Sequence, residues 1–356
     1  MNATRRTRIS IIASVSVAAL AAALATAAPT AAAPTTATKP GGGSSTGTGQ
    51  VFMVNPVQSS GDQTLTDQMD AAGAVPSSAY ATVTLHNLDG SGYLRGTWVN
   101  VLAETGTPAY SPTGSFTYRR DDDRFEQVMA YYFVDAAQRY LQGLGFGSEL
   151  PAVNAESQDV RTNQWGIDNS FSWDKHDVLR FGKGGVDDAE DGEVIVHEYG
   201  HAVHDAQVPG FGSSIEAGSI GEAFGDYLAV TVGLHEANVN GWPVATDPTC
   251  VADWDSVSYT RAPHCLRTLS ENKHYPEDLQ GEVHADGEIW SQALWTIRES
   301  LGATTADRII VNAQFGFAPD TSFAAAANTT VATAQQMYGA REVRAVRAAF
   351  AARGIL

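Results

Sequence analysis

Apolar and polar positions alternate in the early part of the chain and shift to a helical period beyond it. Tyr80 to Leu88 places Val83 and Leu85 on one face of an extended segment, with polar residues between them. Asp89-Gly90 and Ser91-Gly92 follow as turn residues, which predicts that Tyr93 to Leu102 returns as a second strand. Phe125, Val128, Met129, Tyr132, Phe133, Ala136 and Tyr140 then recur at helical spacing. Asp121 to Asp123 stand where a cap belongs, and Gly143 where the helix can stop. Asp177 to Phe181 reads as another strand. From about Asp188 the helical period dominates, through to Arg341–Arg353. The pattern predicts an α+β chain, strand-rich first and helical afterwards.

The first residues change the picture of where the chain works. Arg5, Arg6 and Arg8 precede the apolar stretch Ile9 to Leu24, and Ala25-Thr26-Ala27 offers a cleavage site, so residues 1–28 read as an export signal. Residues 29–50 are rich in Ala, Pro, Thr and then Gly and Ser, which predicts a flexible linker. Loss of residues 1–28 removes three arginines and no acid, taking the formal charge from −18 to −21. A chain so acidic is a poor partner for phosphate backbones, so nucleic acid is not expected. A secreted protein with no membrane attachment after signal cleavage is expected. Cys250 and Cys265 are then predicted to pair in an oxidising compartment, worth about 3 kcal/mol in the chain-entropy account.

The chemistry concentrates in Glu193 to Ala206. His197 and His201 lie four residues apart, so on a helix both imidazoles leave one face and can hold one Zn²⁺. Glu198, displaced around the helix, can act on a water that the metal activates without binding the metal itself. Asp187, Asp188, Glu190 and Asp191 suit the positive end of that helix. A catalytic zinc needs a third ligand, and Glu222 lies twenty-one residues beyond His201 in a second helical stretch. Asp226 shares the face of Glu222 and can accept the other N–H of a ligating histidine. Gly200, Gly218, Gly221 and Gly225 would let the two helices approach closely. Further on, His284 opens a helix whose buried stripe is Ile289, Trp290, Ala293, Leu294 and Ile297. His204, three residues after His201, could neighbour the site, but a solvent-facing position on that helix is the favoured reading.

At these residues the chain resembles the gluzincin metallopeptidases of the thermolysin-like clan, and most nearly the fungalysin family. His197-Glu198-Tyr199-Gly200-His201, the segment Gly218 to Asp226, and Val283 to Trp290 carry the likeness, which extends over roughly residues 51–356. The resemblance implies a two-lobed fold. A β-rich lobe over 51–187 would face a helical lobe over 188–356, with the zinc helix between them. It also implies roles. His197, His201 and Glu222 would be zinc ligands, Glu198 the general base, and Asp226 the partner of His197. His284 and Arg267 would stabilise the oxyanion. Asn169 and Ser170 would belong to an edge strand that holds the peptide backbone. Val194 and Leu266 would line the pocket after the scissile bond and favour an apolar residue there.

Three positions depart from the thermolysin pattern. Ser213 stands where a tyrosine would lie nine residues before the glutamate ligand, and Leu279 where a carboxylate would precede His284, leaving Asp278 or Glu282 to serve. Gly233 replaces a calcium-binding glutamate, which speaks against the double Ca²⁺ site. The expected function is that of a monomeric, secreted zinc endopeptidase acting on protein or peptide substrates. A zinc aminopeptidase or oligopeptidase is the first rival, and a non-catalytic zinc-containing surface protein the second.

Overall fold

The computed structural model describes residues 45–102 and 106–356. The export signal and residues 29–44 of the expected linker lie outside the described residues. Strand β1 (Ser45–Phe52) begins inside the stretch expected to be linker, which corrects the linker's end. The reason is local. Gly47 and Gly49 run so close to their neighbours that a Cβ would meet the Gly114 carbonyl oxygen at 2.6 Å and Val128 Cγ1 at 2.8 Å. Their lack of side chains, which reads as flexibility in sequence, lets the backbone pair.

After a short helix α1 (Pro56–Ser60), β1 finds its antiparallel partner in β2 (Tyr80–Leu88), with Val51 opposite Ala81. The expected return of Tyr93–Leu102 meets the end of β2 at one antiparallel bridge, Leu88 to Gly96, rather than along a full strand. That segment folds on itself through a bridge between Arg95 and Asn100, and only its end survives as β3 (Val99–Val101). β4 (Ser115–Phe116) completes a three-stranded sheet in the order β2-β1-β4.

Helix α2 (Arg124–Gly143) is buried nearly all round, because it lies between the strands and the helices that follow. Two of its interior amides are matched: Gln127 Oε1 accepts the Ala109 N–H at 2.9 Å, and Gln138 Nε2 donates to the Val153 carbonyl at 3.1 Å. Within the aspartate run, Asp122 rather than Asp123 supplies the capping side chain. Asp123 makes no capping bond, whereas Asp122 Oδ1 accepts the Arg124 N–H and its carboxylate holds the Arg124 guanidinium.

Strands β5 (Gln158–Arg161), β6 (Ser170–Trp173) and β7 (Val178–Phe181) join β3 in a second sheet, ordered β3-β5-β7-β6. β6 is antiparallel to β7 and forms the edge.

Helices α3 (Gly192–Gln207) and α4 (Ile215–Asn240) come next. Two short strands, β8 (Cys250–Val251) and β9 (Arg267–Thr268), pair with each other. Helices α5 (Val283–Leu301), α6 (Ala303–Gln314), α7 (Phe323–Met337) and α8 (Ala340–Ala352) complete the chain. α4 is the central rod of this half and packs on α3 on one side and α5 on the other. The buried carboxylate of Asp307 ties α2, α4 and α5 together by accepting from Tyr140, Tyr227 and Arg298. Cys250 and Cys265 form the predicted disulfide, with Cα atoms 5.6 Å apart. The fold is mixed α+β with a helical second half, as the pattern predicted.

Candidate active site

Asp191 caps α3 by accepting the Glu193 N–H at 2.9 Å, so the helix starts two turns before its histidines. α3 and α4 meet through glycine. A Cβ on Gly200 would lie 2.9 Å from Gly225 Cα, and one on Gly225 would lie 2.7 Å from His197 Nδ1. This approach brings Glu222 of α4 against the histidine face of α3. His197 Nε2 is 3.2 Å from His201 Nε2 and 3.2 Å from Glu222 Oε2, and His201 Nε2 is 3.7 Å from Glu222 Oε1. Tetrahedral zinc with bonds of about 2.0–2.1 Å has donor–donor edges of about 3.3 Å, so the triangle has the right size.

The protonation pattern points the same way. Asp226 Oδ1 lies 2.8 Å from His197 Nδ1 and accepts its proton, leaving the Nε2 lone pair facing the centre of the triangle. Two imidazoles and a carboxylate that converge this way need a cation between them. Burial alone would raise the Glu222 carboxyl, yet His201, His197 and His284 hold it well below the ordinary carboxylate range. Asp226 is likewise depressed against its burial, chiefly by Arg267, whose Nε and Nη2 reach its two oxygens at 2.7 Å each. Arg267 is thus committed bidentately to the carboxylate that orients His197.

Glu198 stands beside this triangle, 5 % exposed, and its Oε2 has no hydrogen-bond partner. Burial pushes its carboxyl up to about 7, opposed by the charge of His197. It lines a cavity of about 460 Å³, open to solvent, with His197, Glu222, Arg267 and His284. Val194, Leu266 and Ser170 line the same cavity. Asn169 does not; its carbonyl accepts the Trp165 indole N–H at 3.2 Å at the foot of β6. His284, in the first turn of α5, sets Nε2 3.2 Å from Glu222 Oε2 and Nδ1 2.6 Å from Glu282 Oε1. Glu282 is therefore the carboxylate partner that Leu279 cannot supply. Among the described residues no tyrosine lines the cavity.

The expectation for His204 is overturned. Its ring is 2 % exposed, stacks on Phe211 with centroids 3.7 Å apart, and meets Phe224 edge-on. Phe211, from the segment between α3 and α4, folds over a helix position that periodicity assigns to solvent. Neither ring nitrogen has a partner, and burial, aided by His201, pushes the ring down from 6.5 to about 3. A depressed histidine is protonated in the unfolded chain but not in the folded one across that window, so stability falls as pH drops through it. His204→Phe is expected to be progressively more stable than wild type as pH falls below about 6.5, by up to about 1.4 kcal/mol per pH unit. Thermal melts of both proteins at neutral and mildly acidic pH check this, and an equal pH dependence would contradict it.

Sequence reasoning also missed three carboxylates on the cavity wall, Asp168, Asp188 and Asp255. They come from one loop and two short 3₁₀ segments, Asp188–Glu190 and Asp255–Ser258, so no periodicity links them. Near Gly233 the closest acid is Glu193, whose oxygens accept from Gln58 Nε2 at 3.0 Å and the Ala252 N–H at 2.7 Å. The protein itself satisfies that carboxylate.

No curated protein matches the sequence. Residues 210–355 match the family described as thermolysin metallopeptidase, alpha-helical domain, which covers α4 to α8 and so includes Glu222, Asp226, Arg267 and His284. Among solved structures, the chain is similar to the precursor of protealysin, a metalloproteinase from Serratia proteamaculans. The TM-score is 0.53 at 16% identity, over 72% of this chain and 85% of that one. The likeness concerns the fold. The histidine pair of α3 thus meets a glutamate that lies within the segment resembling the helical domain of thermolysin metallopeptidases.

Proposed function

We propose that this chain is a thermolysin-like zinc endopeptidase that acts on proteins or peptides outside the cell, with Glu198 as general base. The observation that carries the proposal is the triangle of His197, His201 and Glu222, sized for zinc and set beside a buried carboxylate with a free oxygen. Zn²⁺, when bound, polarises the scissile carbonyl and acidifies a water. Glu198 takes that water's proton and returns it to the leaving amine, a two-way task suited to a carboxyl near 7. His284, held by Glu282 through Nδ1 at 2.6 Å, faces the cavity and is placed to donate to the developing oxyanion. Arg267 faces the same cavity while anchored on Asp226 and serves as the second donor. The edge strand β6 gives an extended peptide a ladder to join, with Ser170 at its start. Asn169, just before β6, would steady the peptide as it enters.

Ser213, in place of a tyrosine, supports placing the chain near the fungalysin branch. The disulfide suits an oxidising compartment. Among the described residues no helix is long and apolar enough to cross a membrane.

The test is casein hydrolysis by the purified protein. Dialysis against a zinc chelator is expected to abolish cleavage, and one equivalent of Zn²⁺ to restore it, with internal cuts mapped by mass spectrometry. Undiminished cleavage after zinc removal, or trimming from the amino terminus alone, would sink the proposal.

A further inference from the structure

We propose that the cleft holds a specificity pocket for a basic side chain, lysine or arginine, next to the scissile bond, with Asp168, Asp188 and Asp255 as its floor. The inference rests on the peptidase function proposed above and names the substrate class of the same cleft.

One carboxylate oxygen from each of the three aspartates lies within 4.8 Å of the others, and all three line the cavity that contains Glu198 and His197. The pocket therefore adjoins the bond to be cut. Asp188 and Asp255 are each 2 % exposed. Each has one oxygen occupied, Asp188 Oδ2 by the Ser170 hydroxyl and Asp255 Oδ2 by the Tyr259 hydroxyl. The other oxygen, Oδ1 in both, has no hydrogen-bond partner. Two orphaned acceptors at the wall of a substrate cleft are unusual, because buried polar groups are nearly always matched.

The cluster is also short of positive charge. Burial raises all three carboxyls, Asp168 to about 7 and Asp188 to about 8, and for Asp188 and Asp255 the neighbouring aspartates add to the effect. Arg267, which shares the cavity, is paired bidentately with Asp226 and not with any of the three aspartates. A substrate ammonium or guanidinium would supply the missing donors and the missing charge together.

The walls favour a side chain over a bare ion. Val194, Val251 and Leu266 give apolar surface that suits the alkyl stem of lysine or arginine, while the charged head reaches the floor. A hard divalent cation calls for six or more oxygens, whereas the cluster brings one oxygen from each of three aspartates together. The apolar residue that Val194 and Leu266 suggest by themselves is displaced by what lies beneath them.

The test uses zinc-loaded full-length enzyme and quenched peptides that differ in one residue beside the cleaved bond. Arginine is expected to exceed leucine in kcat/KM by about tenfold or more, because a site with unpaired polar groups rejects a ligand that cannot pair them. In Asp188→Asn and Asp255→Asn the arginine-to-leucine ratio is expected to fall about tenfold. Agmatine, a guanidinium on an alkyl stem, is expected to inhibit wild type competitively, which needs no variant to fold. Leucine cleaved as well as arginine, or agmatine without effect, would overturn this inference alone. A calcium-dependent rise in melting temperature that is lost in Asp188→Asn, without any arginine preference, would assign the cluster to a metal instead. Cleavage of neither peptide would overturn the peptidase reading with it.

Discussion

Glu198→Gln is expected to lose peptide hydrolysis by about 10³-fold while still binding one zinc per chain. The amide keeps the shape of the carboxylate but cannot accept a proton, so the attacking water loses its base. The zinc triangle is built from His197, His201 and Glu222, and Glu198 contributes no atom to it. Stability should hold or improve, since the substitution removes a buried charge whose Oε2 has no partner to lose. Metal analysis beside peptide kinetics decides the matter. A variant that keeps more than about a tenth of wild-type kcat would remove Glu198 from its role.

The second large effect is expected at Asp226. Its carboxylate serves both His197 and Arg267, so Asp226→Ala removes the group that fixes one ligand's tautomer and strands a buried guanidinium. The first loss predicts zinc binding weaker by about 10–100-fold. The second predicts about 3–5 kcal/mol of destabilisation, because breaking a buried pair leaves an uncompensated charge. Competition with a chelator of known affinity measures one, and denaturant unfolding of the zinc-free protein measures the other. Unchanged zinc affinity would show that the Nδ1 contact does not orient His197.

These two residues were legible in the sequence because helical geometry translates spacing directly into shared faces. His197 with His201, and Glu222 with Asp226, are such pairs, and the structure keeps each on one face. What spacing could not reveal depends on the course of the chain between elements. Phe211 covers His204 from a loop. Gly47 and Gly49 read as linker, yet they pair because their backbones touch Gly114 and Val128. Asp188 read as one of several acids at a helix start, whereas it meets Asp168 and Asp255 only through tertiary folding. Glu282, offered beside Asp278 as a partner for His284, was settled by its place as the cap of α5.

The glycine contact between α3 and α4 carries a consequence for how the three ligands are spaced. Gly200 and Gly225 leave no atoms between the two backbones, and His197 lies directly against Gly225. The gap across which Glu222 meets the histidines is therefore set by main chain against main chain, which cannot compress. The spacing of the three ligands is thus set by how closely the two glycine-lined backbones pack, a property of the fold rather than of the ligand side chains alone.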